Sequence, residues 1–341
     1  MKHIYSRLLI LRTPGIGPAR FNSLVKQFGD VESVVAAIDI KDGVRDSVLR
    51  EMDRAMALGV SYIADDDVRY PHNLKLVRNH PPVISVRGNI DVLGRDMVAI
   101  VGTRHATATG MGFVANIAEK FAQNNIAVVS GMAIGTDTAA HRGALRVSDG
   151  AGTIAVLAGG VDYIWPLENE SLYWEIVEKG AIISEMPVGF VPVATNFVQR
   201  NRWVAGLGTQ LVLGEADLKS GSMVTARFAH EYNRKVWAIP SHPADLRAVG
   251  PNSLIRNGVA TLCMGVEDFF DNGKKLPEQI KNEKNANKEN SLIDVLGTIP
   301  VSESVLADVV KKSIPEIKSE LVVLELQGLV RKVDGGYIRV S

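Results

Sequence analysis

Three short segments of the sequence carry residue types that suit the binding of phosphate. The first is the turn Gly102-Thr103-Arg104, which follows the apolar run at residues 98–101. A guanidinium can hold a phosphate through two parallel N–H donors, and a glycine leaves the backbone open to a ligand. Thr107 and Thr109 are candidate helix N-caps, so the positive end of a helix dipole would face the same place. The alternative for this segment alone is an ordinary strand–helix turn with a solvated arginine.

The other two segments lie further along the chain. Arg200, Asn201 and Arg202 stand at a predicted helix start, and Ser222 and Thr225 offer hydroxyl groups at the start of a second helix. Residues two apart on a helix point to different sides, so both arginines can follow one backbone only if the helix lies across the binding face. Solvated helix arginines are the alternative. Several phosphate-type subsites along one edge suit a polymer better than a single nucleotide.

A doubly wound α/β sheet is the element that would bring these segments together. Short apolar runs recur between amphipathic helical patterns, which is typical of parallel strands buried on both faces. Ligands in such folds bind outside the carboxyl ends of the strands, and the turn at Ser130 and Gly131 falls there together with Gly102. The predicted strands are residues 98–101, 127–130, 153–157, 181–184, 210–214 and 236–239.

Smaller modules are predicted on both sides of this Rossmann-like domain. The first residues show two helical patterns joined by a Gly-Ile-Gly turn at residues 15–17, which resembles a helix-hairpin-helix or SAM-like module. Such a turn can offer N–H groups to a phosphate, and a purely structural or protein-docking use is the alternative. The predicted domains are residues 1–64 (helical module), 65–276 (Rossmann-like domain), 277–290 (polar linker) and 291–341 (winged helix).

The predicted winged helix has three helical patterns followed by a hairpin. Its third helix carries Glu316, Glu320 and Glu325 against Lys318, and an acidic face is a poor partner for phosphate. We therefore favour protein–protein or regulatory use of this module. The alternative is DNA contact through the basic residues of the hairpin, Arg331, Lys332 and Arg339.

Composition narrows the function classes. The 341 residues include 38 Lys and Arg against 38 Asp and Glu, so nucleic-acid binding must rest on local clusters and not on bulk charge. Cys263 is the single cysteine, which excludes an intramolecular disulfide and a cysteine-built zinc site and fits the cytoplasm. The seven histidines show no ligand spacing, so we expect no metal. We also expect no secretory leader and no membrane span.

Eight runs of this sequence resemble the motifs of the DprA/Smf family of DNA-processing proteins. In order, between about residues 70 and 270, they are IVGTR, SGMAIGTD, AHRGAL, TIAVLAGGVD, FVQRNRWVAGL, KSGSMVTA, VWAIP and GPNSLIRNGV. The resemblance implies an extended Rossmann-like domain that binds single-stranded DNA, usually as a dimer. It further implies loading of RecA recombinase onto strands imported during natural transformation, with no catalysis and no cofactor.

Carried over by position, the resemblance assigns DNA contacts to ten residues. They are Gly102, Thr103, Arg104, Ser130, Gly131, Arg200, Asn201, Arg202, Ser222 and Thr225. The chain departs from the family pattern at four places. Ile134 stands where arginine is usual, which removes one charge from the loop, and Thr136 where isoleucine is usual. Trp165 replaces a tyrosine before proline, and Ser241 replaces a glycine.

A nucleotide-binding enzyme is the alternative function. Lysine-decarboxylase-like phosphoribohydrolases share the Rossmann frame and carry a PGGxGTxxE signature whose glutamate works beside the ribose. At the equivalent-looking turn this chain has SGSMVTA with no such glutamate. Glu185 and Glu215 remain as acidic candidates, and we interpret both as structural.

The end of the Rossmann-like domain offers a surface for the expected homodimer. Several apolar residues lie near the end of this domain in the sequence, and apolar surface of this kind is typical of contacts between subunits. The run comprises Val259, Leu262, Met264, Phe269 and Phe270.

Overall fold

The computed structural model describes residues 2–270, 292–297, 300–333 and 335–340. The chain forms two compact units, Met1–Asp271 and Asn272–Ser341. The predicted linker at residues 277–290 lies outside the described residues.

Four helices precede the first strand of the larger unit. Pro18 fixes the first turn of the second helix, and Asp30 begins the third by accepting a hydrogen bond from the Ser33 N–H group at 2.7 Å. Buried residues of the first and fourth helices share one core with the first two strands of the sheet, whereas the second and third helices pack with the first in a separate core. The helices are α1 (Lys2–Arg12), α2 (Pro18–Phe28), α3 (Val31–Ala37) and α4 (Asp42–Ala57).

One nine-stranded sheet forms the centre of this unit, and all six predicted strands are in it. The strands are β1 (Val60–Ala64), β2 (Val83–Gly88), β3 (Asp96–Val101), β4 (Ile126–Ser130), β5 (Thr153–Val156), β6 (Ala181–Ser184), β7 (Gln210–Leu213), β8 (Lys235–Ala238) and β9 (Thr261–Leu262). Residues of β1, which the sequence grouped with the helical module, are therefore an edge strand of the main sheet. Its backbone pairs antiparallel with β2 from Val60 opposite Arg87 to Ala64 opposite Val83.

The strand order is β1-β2-β6-β5-β4-β3-β7-β8-β9. All neighbouring pairs in the stretch of the sheet from β6 through β3 to β9 are parallel. Strand β2 runs antiparallel to both of its neighbours, β1 and β6. The chain moves from β3 through β4 and β5 to β6 in one direction, and then from β7 through β8 to β9 in the other. This reversal beside β3 opens a crevice at the carboxyl ends of the strands, which is where such sheets bind ligands.

Helices cover both faces of the sheet because successive strand residues point to opposite sides. On one face Val98 and Ile100 pack with helices α6 and α7, and on the other Ala99 and Val101 pack with α9 and α10. The helices of this part are α5 (His72–Lys75), α6 (Ala108–Gln123), α7 (Thr136–Leu145), α8 (Glu170–Lys179), α9 (Ala194–Leu207), α10 (Gly221–Glu231), α11 (Val249–Arg256) and α12 (Glu267–Phe270).

The smaller unit contains helices and a two-stranded antiparallel sheet in the predicted order. A separate apolar core holds it, with Leu306, Ile317 and Tyr337 buried. Asp334 of the predicted turn lies outside the described residues. The elements are α13 (Leu292–Val295), α14 (Glu303–Val310), α15 (Ile314–Leu326), β10 (Val330–Val333) and β11 (Gly336–Arg339).

Candidate nucleic-acid interface

An open cleft of about 680 Å³ lies where β3 and β4 end, between α9 and the start of α10. The fold thus places several of the predicted phosphate-type segments around one space. Eight of the ten residues predicted to contact DNA line it, and their contacts with DNA stay a prediction. They are Gly102, Thr103, Arg104, Gly131, Arg200, Asn201, Ser222 and Thr225.

Arg104, Trp165 and Phe197 form the mouth of the cleft. The Arg104 guanidinium carbon lies 5.1 Å from the centroid of the Trp165 ring, within the range of a cation–π contact. The Trp165 and Phe197 rings meet edge to face with centroids 4.6 Å apart. Arg104 is exposed and the two rings are half-buried. The mouth therefore presents a cation and two aromatic rings to solvent together.

Sequence reasoning assigned no contact to Trp165 or Phe197. Trp165 comes from the loop between β5 and α8, whereas Phe197 lies in the first turn of α9, so the two meet only in the folded chain. One signal was available for Phe197. It precedes Arg200 by three residues, and residues three apart lie on the same helix face.

Thr136 fills the space beside Gly102 that was expected to admit a phosphate. A Cβ atom added at Gly102 would lie only 2.4 Å from Thr136 Oγ1. Thr136 donates from its N–H group, at 3.2 Å, and from its hydroxyl, at 3.1 Å, to the Thr103 carbonyl oxygen. An isoleucine at this position could not make the hydroxyl bond. The glycine therefore serves the contact between two loops of the protein.

Gly131, Asp137 and Arg200 form the floor of the cleft. Arg200 is 7% exposed, and its Nη1 atom donates to the carbonyl oxygens of Gly131, at 2.6 Å, and Val156. The Asp137 carboxylate accepts from the N–H groups of Gly131, at 3.2 Å, and Ala133, at 3.3 Å. Burial lowers the pKa of Arg200 to about 10 and raises the pKa of Asp137, and the opposite charge of each partner counters both shifts. Arg200 therefore ties strand ends together.

Arg202 and Ser130 do not line the cleft. The Arg202 guanidinium lies 3.9 Å from the Trp203 ring centroid and 3.7 Å from the Glu185 carboxylate. Burial raises the pKa of Glu185, which is away from the cleft. The Ser130 hydroxyl is buried and donates to the Ile100 carbonyl oxygen at 2.7 Å. Arg200 and Arg202 lie in the middle of α9 and not at a helix start as predicted, because the helix already begins at Ala194. They face different sides of it, and no continuous basic edge forms from them.

The start of α6 is not an open anion site. Thr107 caps this helix by accepting a hydrogen bond from the Gly110 N–H group at 2.9 Å. The Glu215 carboxylate accepts from both the N–H group and the hydroxyl of Thr107, at 2.7 and 2.5 Å. The expectation that this helix end would face a bound phosphate is therefore wrong, because a side chain of the protein already occupies it.

The start of α10 does face the cleft. Ser220 caps it by accepting from the Met223 N–H group, and the hydroxyl oxygens of Ser220 and Ser222 lie 2.8 Å apart. Thr225 donates to the Gly221 carbonyl oxygen at 3.1 Å. This eleven-residue helix directs the positive end of its dipole toward the cleft. The side chains of Ser222 and Thr225 are buried, and their predicted contacts with DNA stay predictions.

Within the described ranges no three His, Cys, Asp or Glu side chains come close enough together to hold a metal ion. No helix in that part of the chain is long and apolar enough to cross a lipid bilayer. Cys263 is buried, and burial raises the pKa of its thiol to about 12. The thiol therefore stays protonated at neutral pH, which is typical of a structural cysteine.

Comparison with known proteins shows which family the chain resembles. Residues 61–274 match the family described as DNA recombination-mediator protein A. The Smf protein of Synechocystis is 38% identical over 208 residues, which is 59% of this chain and 51% of that protein. The chain thus spans about half the length of this relative.

Two solved structures share the fold. The X-ray structure of DNA processing protein A from Streptococcus pneumoniae is 28% identical and covers 80% of this chain and 99% of its own, with a TM-score of 0.66. A structure of DNA processing protein A from Helicobacter pylori, described for its unique single-stranded DNA binding mode, is 30% identical. It covers 62% of this chain and 93% of its own, with a TM-score of 0.56.

Proposed function

The chain belongs to the DNA recombination-mediator protein A family, and from that premise we propose that it binds single-stranded DNA as a recombination mediator. The related Helicobacter pylori protein is described as binding single-stranded DNA. We further propose that the protein acts by holding the strand and not by catalysis. Its partners would be RecA recombinase and a second copy of the chain, in the cytoplasm, with imported DNA during natural transformation as the substrate.

The mouth of the cleft is the observation that carries this proposal. A guanidinium suits a backbone phosphate, and an aromatic ring suits the flat face of a base. Arg104 and Trp165 lie in contact, so one nucleotide could engage both at once. A base face is free to stack on protein only when the base is unpaired, and this favours a single strand over a duplex.

The start of α10 would supply a second phosphate position, since its first residues line the same cleft as the mouth. Ser222 and the helix dipole lie there, and Asn201 donates to the Gly221 carbonyl oxygen at 3.3 Å. Two phosphate positions that share one cleft suit a chain of nucleotides better than one nucleotide. The strand would pass from Arg104 toward Ser222.

The alternative of a nucleotide-processing enzyme is not favoured by the positions of the acidic residues. Glu185 lies against Arg202, and the carboxylate of Glu215 is bound at the start of α6. Among the residues that line the cleft, the acidic one is Asp137, and two backbone N–H groups already hold its carboxylate. None of these three is presented to a ribose in the cleft.

We propose that the dimer forms through the exposed part of the apolar run near the end of the larger unit. Leu262, Met264 and Phe270 are exposed, whereas Phe269 packs on Trp237 and Phe121 with ring centroids 4.6 and 4.8 Å apart. Phe269 therefore packs against the core. The other three side chains are exposed, and of these Phe270 also contacts Phe121, with ring centroids 5.9 Å apart. Light scattering at micromolar concentration should show a dimer, and a monomer would contradict the proposal.

The smaller unit is proposed to be a winged helix that contacts protein. Glu320 pairs with Lys312 at 2.8 Å, Lys318 pairs with Glu303 at 3.3 Å, and Glu316 caps its own helix. An acidic helix of this kind repels a phosphate backbone. The unit is therefore assigned to regulation, separate from strand binding.

Fluorescence anisotropy tests the proposed function directly. A labelled poly-dT oligonucleotide, the matched duplex and a free labelled nucleotide are titrated with the whole chain at several salt concentrations. We expect the single strand to bind most tightly and its affinity to fall with salt, because each neutralised phosphate releases counterions. Equal affinity for the duplex, or tighter binding of the free nucleotide, would contradict the proposal.

A further inference from the structure

Glu215 occupies a position that a helix N-terminus normally offers to a phosphate. It follows β7, and its carboxylate reaches the first turn of α6 more than a hundred residues earlier in the chain. Both carboxylate oxygens are used there, one by the N–H group of Thr107 and the other by its hydroxyl. A glycine-containing turn between a strand and a helix binds phosphate in many folds through the same kind of N–H donor.

The fit between Glu215 and α6 is close. A Cβ atom added at Gly110 would lie 2.6 Å from Glu215 Oε1, so a residue other than glycine would displace the carboxylate. The Glu215 main chain also holds the same loop, because its carbonyl oxygen accepts from the Thr103 N–H group at 2.6 Å. Glu215 therefore holds residues 103 and 107, on both sides of Arg104.

We propose that Glu215 is an internal substitute for phosphate at α6, which positions the Arg104 loop and excludes free phosphate and mononucleotides from this helix end. A carboxylate and a phosphate both accept N–H donors, but two anions a few ångströms apart repel each other. A DNA phosphate is therefore directed to Arg104 and to the start of α10. The part of the inference that concerns the strand rests on the function proposed above.

Thermal unfolding tests, without any DNA, whether Glu215 takes the place of a phosphate. Glu215→Ala, Glu215→Gln and the parent protein are compared in chloride and in inorganic phosphate at equal ionic strength. Glu215→Ala should lose about 3–6 °C of Tm in chloride, because α6 loses its anion, and should regain most of it in phosphate. Glu215→Gln has the same net charge as Glu215→Ala, but its side chain still fills the space at the start of α6. Phosphate should therefore raise the Tm of Glu215→Gln no more than that of the parent.

The second measurement is the affinity of each protein for a single-stranded oligonucleotide. In the parent and in Glu215→Gln, added phosphate should leave oligonucleotide affinity unchanged or lower it, as a competing anion does. In Glu215→Ala the affinity should fall about tenfold in chloride and rise again with phosphate, which is the opposite sign. A role limited to general stability would not produce this reversal.

The outcomes separate the two proposals. If phosphate restores the Tm of Glu215→Ala but not of the other proteins, and no protein binds the strand, the phosphate-substitute role of Glu215 is supported and the proposed function is overturned. If the parent binds the strand but phosphate does not restore the Tm of Glu215→Ala, only the phosphate-substitute role is overturned. If Glu215→Ala is unfolded in chloride, refolding on addition of phosphate supports the inference, and failure to refold overturns it.

Discussion

Arg104 and Arg200 line the same cleft, yet the fold treats their charges in opposite ways. At the floor, Arg200 is buried beside Asp137 and donates to main-chain carbonyl oxygens at the ends of two strands. At the mouth, Arg104 is exposed on the face of Trp165 and has no ion-pair partner within the described residues. A buried arginine whose donors are used holds the structure together, and an exposed one is free for a ligand.

The largest expected effect is at the floor and concerns stability. Arg200→Met should reduce the free energy of unfolding by about 3–5 kcal/mol, because the buried carbonyl oxygens of Gly131 and Val156 lose their donor and the buried Asp137 carboxylate loses a nearby positive charge. Urea unfolding followed by circular dichroism measures this loss. The double variant Arg200→Met with Asp137→Asn should regain part of it, since the unpaired charge is gone. A loss below about 1 kcal/mol in the single variant would show that the floor is not a structural pair.

At the mouth the expected effect concerns binding and not stability. Arg104→Ala should weaken binding of a poly-dT oligonucleotide by about ten- to a hundredfold, because one charge-assisted phosphate contact is lost. Arg104→Lys should recover part of it, since an ammonium lacks the two-pronged guanidinium geometry. Anisotropy measures the affinity, and the urea midpoint of both variants should match the parent. Parent-like affinity in a folded Arg104→Ala would move the strand away from this pocket.

A smaller effect is expected from the aromatic part of the mouth. Phe197→Leu should weaken strand binding by about fivefold to tenfold, because a leucine fills the space but cannot stack a base in the same way. The sharper comparison uses an oligonucleotide with abasic sites. The parent should bind it less tightly than poly-dT, whereas Phe197→Leu should distinguish the two less. An equal preference in both proteins would remove base stacking from the account.

The smallest effect is expected outside the larger unit. Arg331 is exposed on β10 of the smaller unit, so Arg331→Ala should change strand affinity by less than about twofold. It is the matched control for Arg104→Ala, since each variant removes one arginine charge. A loss as large as that of Arg104→Ala would assign DNA binding to the smaller unit.

Six parallel strands of the sheet and the place of the cleft could be predicted because they depend on local patterns. The apolar run at residues 98–101 identifies a doubly buried strand, and the turn after it must lie at the sheet edge where ligands bind. The exposure of Arg104 follows from the same argument. The two-residue spacing of Arg200 and Arg202 also indicated that they face different sides, and the structure confirms it.

The remainder depends on contacts between distant residues, which no local pattern shows. Glu215 fills the start of α6, and Thr136 fills the space beside Gly102, each from another part of the sheet edge. The spacing of Arg200 gave its side of the helix but not its burial, which follows from the carbonyl oxygens of other strands. Trp165 reaches the mouth from a loop, and loop positions have no periodicity from which to infer a neighbour.

The salt dependence of strand binding is the most direct test of the claim that a phosphate lies on Arg104. The logarithm of the association constant is plotted against the logarithm of salt concentration for the parent, Arg104→Ala and Arg331→Ala on one poly-dT oligonucleotide. Losing one phosphate contact should lower the magnitude of the slope by about 0.7 in Arg104→Ala and leave it unchanged in Arg331→Ala. An unchanged slope in Arg104→Ala would contradict the account, because the guanidinium would then neutralise no phosphate.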